Sequence, residues 1–345
     1  MRFFLVLFII IIRFDTSYSK EVSDDVVCSK IFYSNMNQIE KYIQIAKERN
    51  LSCGVRNDVS TNSNIPVNKI KINNDNKEKI LFFPSKPISI NYINSVKNSH
   101  DVAVIIGNAN YKKMGKDIPN VNPAYADAEG IKKYFTEAKG IKEGNIIFIK
   151  DATGSQLASV FGNEKSYKGR LFNYIKSKKS NVYIYYAGHG APGEEGDAYL
   201  VPSDTDSQTI QFTGYQLSTL YSNLGKLPAK SVTVILEACF SGGSQSGSLI
   251  SKASPIVIKP KKTMIPANVK VIAAGSERQM ASWEEDSSHS LFTKYFLKAM
   301  SGEGDANKDG KVSDAELKEY LSDTMTYYAR RYYGRDQKVQ IHNSR

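Results

Sequence analysis

The chain has 345 residues, of which 41% are hydrophobic, which is enough for one large buried core or two smaller ones. Its formal net charge is +11, but the lysines are scattered, with no stripe of alternating basic and aromatic residues. This composition argues against a nucleic-acid-binding protein, and no stretch beyond the first twelve residues is apolar enough to span a membrane.

The N-terminus has the features of an export signal. One basic residue, Arg2, precedes an apolar run over residues 3–12, and the small residues Ser17 and Ser19 follow. This order predicts a signal peptide cleaved near Ser19 and a mature protein that is secreted or periplasmic. The run is short for a bilayer span, which takes about 20 apolar residues, so we expect no stable membrane span after cleavage.

Three cysteines are an odd number for an exported protein, so at least one thiol is free or pairs between molecules. Cys28 and Cys53 lie close together in the N-terminal region, where a disulfide is plausible in an oxidising compartment. Cys239 stands alone in a loop of small residues and is therefore the thiol to examine for chemistry.

The chain changes character near residue 100. Residues 29–50 carry apolar side chains at helical spacing and predict an amphipathic helix. Residues 57–99 are polar and rich in Asn, Lys and Ser, which is typical of a linker or pro-segment. We therefore divide the chain into a signal peptide at 1–19, a helix with a polar linker or pro-segment at 20–99, and one domain at 100–345.

Within that domain, short apolar runs alternate with helical patterns. The alternation predicts an α/β fold, in which parallel strands joined by right-handed crossovers form a sheet with helices on both faces. The predicted strands are residues 102–106, 145–149, 182–186, 232–236 and 269–273. The predicted helices run from Asn122 and Pro123 to about residue 139, and over 155–177, 215–224 and 290–300.

Two chemically capable side chains follow neighbouring predicted strands. His189 lies between Gly188 and Gly190 after the third strand, and Cys239 follows the fourth strand. The carboxyl ends of parallel strands meet at one edge of a sheet, so we expect both side chains at one site. An imidazole there can take the proton of a thiol, which then attacks a carbonyl carbon, and the backbone N–H groups of Gly190 and Cys239 are candidate donors to the oxyanion.

Each of these residues also has a purely structural interpretation. Cys239 alone is equally compatible with a small buried apolar residue, and His189 alone favours a histidine that caps a strand. Their matching strand-end positions favour a catalytic pair. The pair needs no cofactor for its chemistry, and neither residue has further Cys or His residues at zinc-ligand spacing.

Several motifs of the chain resemble those of the caspase and metacaspase-like cysteine peptidases, especially the bacterial caspase-like proteins. The histidine precedes the cysteine by 50 residues, as in caspases. Residues 105–111, 126–128 and 200–204 resemble the first-strand motif, the first-helix motif and the loop after the histidine. The resemblance extends from about residue 100 to 341. It implies a three-layer sandwich with a mainly parallel sheet of about six strands, a Cys–His dyad and hydrolysis of peptide bonds.

The resemblance also bears on specificity. Metacaspases build their primary pocket from two acidic residues, which correspond here to Asp127 and Glu237, although Glu237 stands where Asp is usual. Two carboxylates favour substrates with Arg or Lys before the scissile bond. Ser282 and Trp283 resemble the loop that shapes the caspase substrate groove, and a local packing anchor is the structural alternative for Trp283. A charge at a helix start and an ordinary ion pair are the structural alternatives for Asp127 and Glu237.

A twelve-residue stretch at 305–316 matches the EF-hand calcium loop. Gly310 occupies position six, and the same residues also satisfy the pattern of a helix-capping box preceded by a turn. We expect a structural Ca²⁺ here. The predicted ligands are Asp305, Asn307, Asp309, Lys311 (through its backbone carbonyl), Ser313 and Glu316.

Three functions remain open from the sequence. The first is an endopeptidase that cleaves after basic residues and processes itself within residues 244–268, where several lysines lie, or in the N-terminal segment. The second is a legumain-like asparaginyl peptidase or transamidase. The third is a non-catalytic, calcium-binding adaptor that keeps the fold.

Overall fold

The computed structural model describes residues 83–92, 98, 100–114, 117–193, 197–241, 243–245, 247–248, 264–276 and 279–343, and a few positions between 42 and 49. The predicted signal peptide, both N-terminal cysteines and the lysines of residues 249–263 lie outside the described residues. Tyr42, residues 44–46 and Glu48 are helical, within the predicted helix at 29–50. The chain divides into two compact units, Met1–Phe82 and Phe83–Arg345.

The second unit is built on a six-stranded sheet in the order β11-β10-β7-β3-β1-β2. All neighbouring pairs are parallel except β10 with β11. The central strands are continuous apolar runs, as expected when helices cover both faces of a sheet. The strands of this sheet are β1 (Val102–Gly107), β2 (Ile146–Lys150), β3 (Asn181–Ala187), β7 (Ser231–Glu237), β10 (Val269–Ala273) and β11 (Gln340–Asn343). The remaining strands form two small sheets, one from β4 (Gly190–Pro192), β5 (Ala198–Leu200) and β6 (Tyr215–Gln216), and one from β8 (Gly243–Ser244) and β9 (Gly247–Ser248).

Helices cover both faces of the large sheet and enclose two hydrophobic cores. Alternate residues of the same strand point to opposite faces, so Ile105 belongs to one core and Ile106 to the other. The helices are α1 (Ala124–Lys133), α2 (Gly154–Phe161), α3 (Ile210–Thr213), α4 (Leu217–Gly225), α5 (Leu291–Lys298), α6 (Asp314–Leu321) and α7 (Tyr327–Tyr333). Helices α1, α5, α6 and α7 pack on one core and α2 and α4 on the other, so the predicted three-layer sandwich is confirmed.

The five predicted strands are all present, but the helix predicted over 155–177 is wrong. Helix α2 ends at Phe161 because Gly162 has φ +84°, and a Cβ there would lie 2.1 Å from the carbonyl oxygen of Ser166. Only a short 3₁₀ turn, Arg170–Tyr174, forms later in that stretch. The predicted helix at 215–224 begins two residues late, since Tyr215 and Gln216 pair as strand β6 with β5.

Residues 83–92, which the sequence assigns to a polar linker, are part of the second unit and pack against its core. Ile90 is buried in the core that α1 and α5 share, and Phe83, Ile88 and Tyr92 are partly buried against it. The Nζ of Lys133 donates to the Ile90 carbonyl at 2.6 Å. The compact unit therefore begins ahead of residue 100.

Candidate active site

The two predicted catalytic side chains follow strands that are direct neighbours in the sheet. Strands β3 and β7 are parallel, and their register pairs Ala187 with Glu237, the last residue of each strand. His189 and Cys239 each lie two residues beyond that pair. Both residues line the same small cavity at the carboxyl edge of the sheet.

The backbone of the two strand exits is in close contact. A Cβ at Gly190 would lie 2.6 Å from the carbonyl oxygen of Cys239 and 2.6 Å from the ring of Phe240. These distances are shorter than side-chain contacts allow, so the position requires glycine. The glycine after the histidine thus lets the two exits approach each other.

The carbonyl of Pro119 sets the tautomer of the His189 imidazole. Its Nε2 lies 2.6 Å from the carbonyl oxygen of Pro119, which can only accept, so Nε2 carries the hydrogen. The neutral ring then has its lone pair on Nδ1, the nitrogen that can take a proton. Burial lowers the pKa of His189 to about 4, against the opposing effect of the Pro119 hydrogen bond.

The first-strand motif fixes the backbone at this histidine. The hydroxyl of Tyr111 accepts the His189 N–H at 2.9 Å and donates to the Val201 carbonyl at 3.0 Å, and its ring lies 4.7 Å from the imidazole. Asn108 of the same motif is buried and bonds both the N–H and the carbonyl of Ala152. The motif therefore acts as a support for the histidine loop.

The thiol of Cys239 accepts a hydrogen bond from the Ala281 N–H. Burial raises the pKa of the Cys239 thiol to about 12 and the charge of Glu237 adds to this, whereas the Ala281 hydrogen bond and the charge of Arg335 lower it. With an imidazole whose pKa is about 4, the two residues are both neutral near pH 7. In such a pair the proton leaves sulfur only as the nucleophile attacks.

The two predicted specificity carboxylates are both buried and differ in their partners. Asp127 on α1 is fully buried, its two oxygens accept the Ser290 N–H at 3.2 Å, and its Oδ1 lies 3.6 Å from His289 Nδ1. Glu237 Oε2 accepts the N–H and hydroxyl of Thr293 at 3.1 and 3.0 Å. The other oxygen, Glu237 Oε1, is buried without a hydrogen-bond partner.

Their electrostatics follow from burial and from each other. Burial raises the pKa of Glu237 well above its ordinary value, and the charge of Asp127 raises it further, while the Thr293 hydrogen bonds oppose this. Burial also raises the pKa of Asp127, against the hydrogen bonds from His289 and Ser290. The pKa is therefore raised in both carboxyls, and Glu237 has the less complete set of hydrogen bonds to stabilise its charged form.

The cavity is small. Its volume is about 20 Å³, and its walls include Glu237, Gln245, Trp283 and Ser290 in addition to the two catalytic candidates. That volume holds about one water molecule and no amino-acid side chain. The Oγ of Ser290 is a second buried polar atom without a partner. A substrate side chain therefore needs these walls to separate.

Trp283 lines the cavity beside the thiol, but Ser282 and Trp283 are both buried and do not form an exposed binding loop. Trp283 is 6% exposed and belongs to the hydrophobic core, although it also forms part of the cavity wall. Ser282 is fully buried, and its Oγ accepts from Arg335 Nε at 3.1 Å.

Sequence reasoning missed several residues that shape this site. Pro119, Thr293 and Gln337 lie in no recognisable motif, and they act through contacts between segments far apart in sequence. Arg335 is equally without a signal. His289 lacks the strand-end setting of His189, and only the fold brings it to Asp127.

The acidic loop at 305–316 satisfies its oxygens internally. Asp305 accepts the N–H groups of Asp309 and Gly310, and Glu316 accepts those of Asn307 and Ser313. Ser313 and Glu316 together form the capping box of α6. Throughout the described part of the chain, no three or more His, Cys, Asp or Glu side chains are grouped so that they could hold a metal. The calcium site stays a prediction.

The sheet order, the helices on both faces and the cleft at the strand ends define a caspase-like α/β sandwich. A scan against known families matches the caspase domain over residues 100–340. The chain belongs to this family and is of the cysteine peptidase kind. No curated protein sequence matches it. Among the described residues, none of the helices combines the length and apolar character that crossing a membrane requires.

Proposed function

We propose that this protein is a cysteine endopeptidase that cleaves after Arg or Lys, with Cys239 as nucleophile and His189 as general base. The single observation that carries the proposal is the buried, unpartnered Oε1 of Glu237 in the wall of the cavity that Cys239 and His189 share. A thiol and an imidazole supply the bond cleavage, and the carboxylate supplies the selectivity.

The chemistry follows from the positions of the groups. His189 Nδ1 takes the proton of the Cys239 thiol while sulfur attacks the scissile carbonyl carbon, and the protonated imidazole then donates to the leaving amine. Water, deprotonated by the same imidazole, hydrolyses the thioester. The Pro119 carbonyl keeps the ring in the tautomer that this sequence of steps needs.

Gly190 is suited to stabilise the oxyanion. Strands β4 and β5 are antiparallel, and the Val201 N–H donates to the His189 carbonyl. Hydrogen-bonded and non-hydrogen-bonded pairs alternate along such strands, so the next pair, Gly190 with Leu200, is not hydrogen-bonded. The Gly190 N–H therefore points away from β5. With the Cys239 N–H it forms the proposed pair of donors to the tetrahedral intermediate.

The basic specificity rests on the difference between the two carboxylates. Asp127 already has the Ser290 N–H and His289 as partners, whereas Glu237 Oε1 has none. An ammonium or guanidinium group that reaches Glu237 stabilises its charged form and provides the missing donor. We assign Glu237 direct contact with the substrate cation and Asp127 the supporting charge.

The small cavity supports a latent enzyme. At about 20 Å³ it excludes a Lys or Arg side chain, so activity requires the post-cysteine segment that carries Gln245 to move. We propose that self-cleavage at a lysine between residues 244 and 268 achieves this. A Cys239→Ala protein that matures at the same bond as the wild type would remove self-processing from the proposal.

Two further proposals rest on sequence patterns alone. Export through the N-terminal signal places the enzyme outside the cytosol, where extracellular or periplasmic proteins are its substrates. Calcium binding by the 305–316 loop adds a structural role, because the loop joins the end of the α5 region to α6.

A panel of short fluorogenic peptides tests the activity, with Arg, Lys, Asn or Asp before the leaving group. We expect cleavage after Arg and Lys by the wild type and none by Cys239→Ala. Preferential cleavage after Asn would replace the proposal with the legumain-like reading. Absence of cleavage of every peptide, both before and after limited proteolysis, would favour the adaptor reading.

A further inference from the structure

The segment that follows α7 reaches back to the cleft. Helix α7 ends at Tyr333, the first residue of this region, and Gly334 after it has a left-handed φ of +62° that turns the chain. The next residues meet the segment 281–283, which carries the N–H group that bonds the Cys239 thiol. We call Tyr333, Arg335 and Gln337 the clasp.

Each clasp residue binds a different atom of residues 281–283. The Tyr333 hydroxyl donates to the Trp283 carbonyl at 2.9 Å, and Gln337 Oε1 accepts the Ser282 N–H at 2.8 Å. Gln337 is fully buried and also donates to the Ala274 carbonyl just beyond β10 at 3.1 Å. Three side chains thus fix this short stretch of backbone. Within it, Ala281 and Ser282 are not part of a strand of the large sheet.

Arg335 is the charged member and makes the widest set of contacts. Its Nε donates to Ser282 Oγ at 3.1 Å and its Nη2 to the Ala281 carbonyl at 3.4 Å. The same Nη2 donates to Gln245 Oε1, from the segment that follows Cys239 and lines the cavity. The guanidinium packs over the Tyr333 ring at 5.0 Å, which holds its plane in place.

These contacts lie beside the nucleophile and hold three residues of the cavity wall, Gln245, Ala281 and Trp283. The Ala281 peptide is held by Arg335 at its carbonyl and presents its N–H to sulfur. A fixed donor and a nearby positive charge both favour the anionic form of sulfur, which is the attacking species.

We propose that Arg335 is a positioning residue for Cys239, which fixes the Ala281 segment against the sulfur and supplies the positive charge that faces the thiolate. This inference rests on the proposed role of Cys239 as nucleophile. It concerns the reactivity of the thiol and is independent of the choice of substrate.

The charge on Arg335 has a physical consequence that a purely structural role lacks. The positive charge of Arg335 lowers the pKa of the Cys239 thiol against the larger, raising effect of burial. Its removal leaves less thiolate at any given pH. If Arg335 merely packed the segment, its removal would loosen the cover over sulfur and make the thiol more accessible.

The test is the rate at which iodoacetamide alkylates Cys239 between pH 7 and 9.5, read on the Cys239 peptide by mass spectrometry. The variants are Arg335→Gln and Arg335→Lys. The lysine keeps the positive charge but lacks the planar guanidinium with its several donors. The matched control is Arg331→Gln, which removes the same charge from an exposed position on α7 that bonds only the Tyr327 hydroxyl among the contacts described. Unfolding midpoints accompany all four proteins.

We expect Arg335→Gln to slow alkylation at pH 8 by about three- to tenfold, with Arg335→Lys intermediate and Arg331→Gln equal to the wild type. With a cleavable peptide, kcat falls while KM changes by less than about twofold. Alkylation that is unchanged or faster in Arg335→Gln would overturn the inference. Because alkylation needs no peptide substrate, a protein that cleaves no peptide still returns a result.

Discussion

The cleft at the ends of β3 and β7 and the acidic loop at 305–316 both concentrate polar oxygens, but in opposite surroundings. In the cleft, Glu237 Oε1 and Ser290 Oγ are buried without partners. In the loop, Asp305 and Glu316 accept N–H groups of their own backbone, and most of the loop is exposed. A buried group without a partner costs free energy until a ligand arrives, whereas a satisfied exposed group gives up bonds when a metal binds.

Binding energy is therefore available to a ligand in the cleft more than in the loop. In the cleft, a basic side chain brings hydrogen-bond donors and a counter-charge to Glu237, so a ligand gains both. In the loop, a cation competes with water and with seven hydrogen bonds that the side-chain oxygens already accept. We therefore expect large effects from changes at the cleft and small effects from changes at the loop.

The largest effect is expected from removal of the proposed dyad. Cys239→Ala and His189→Ala should each lower kcat/KM for an Arg peptide at least about 10³-fold, because one removes the nucleophile and the other the base. Steady-state kinetics measure this. His342→Ala, on the exposed end of β11, serves as the control and should keep wild-type activity. Residual activity of His189→Ala within tenfold of the wild type would contradict the assignment.

The next effect is expected from Glu237→Gln. Thr293 donates two hydrogen bonds to Glu237 Oε2, so the Gln carbonyl takes that position and its amide NH₂ faces the pocket. A donor then faces the substrate cation, and we expect kcat/KM for an Arg peptide to fall about 10²-fold. A Gln peptide, which carries no charge, should lose much less. Equal losses on both peptides would break the link between Glu237 and selectivity.

Asp127→Asn separates the roles of the two carboxylates. Asp127 anchors the Ser290 N–H at the start of α5 and faces His289. We expect this variant to lower the unfolding midpoint more than Glu237→Gln does, and to lower selectivity less. The reverse order would exchange the roles of the two residues.

A third effect is the pH dependence of stability. The pKa of Glu237 is raised well above its ordinary value in the folded protein, so the folded state holds a proton that the unfolded state releases. The stability that this proton contributes is fully present below the pKa of Glu237 in the unfolded chain. It is lost as the pH rises through the pKa of Glu237 in the folded protein. The wild type should lose about 2–4 °C in unfolding midpoint relative to Glu237→Gln as pH rises from 5 to 9. Parallel curves would show that Glu237 does not hold that proton.

The smallest effect is expected at the loop. Calorimetric titration with CaCl₂ should give a dissociation constant of about 10⁻⁴–10⁻³ M, because one isolated loop must exchange internal hydrogen bonds for the ion. Asp305→Ala removes the acceptor of the Asp309 and Gly310 N–H groups and should abolish the heat of binding. Peptidase activity should change by less than about twofold with calcium. Tight binding, or a calcium requirement for turnover, would overturn the ranking of the two regions.

The sequence predicts those parts of the fold that depend on local pattern and on strand adjacency. The five apolar runs became strands because each is continuous and bounded by turns. The long helix at 155–177 fails because a helical spacing of apolar residues continues across Gly162, whose left-handed conformation ends α2. The spacing of apolar residues does not show where a helix ends, so Gly162 has to be considered separately as a helix terminator.

The supports of the site could not be predicted, since they depend on contacts across the fold. Pro119 reaches His189 over 70 residues, and Arg335 reaches Ala281 over 54. The backbone carbonyl of Pro119 has no signature in side-chain type. Arg335 is one basic residue among many in a tyrosine- and arginine-rich helix end, so only the turn at Gly334 distinguishes it.

The most direct test of the central claim is covalent labelling of the processed protein by a short peptide acyloxymethyl ketone with Arg at the reactive position. Peptide mapping by mass spectrometry then locates the adduct. We predict one adduct, on Cys239, which is abolished in Cys239→Ala and is strongly reduced in Glu237→Gln or when the Arg is replaced by Asp. An adduct on another residue, or none while a general thiol reagent still modifies Cys239, would contradict the assignment of a basic-specific cysteine nucleophile.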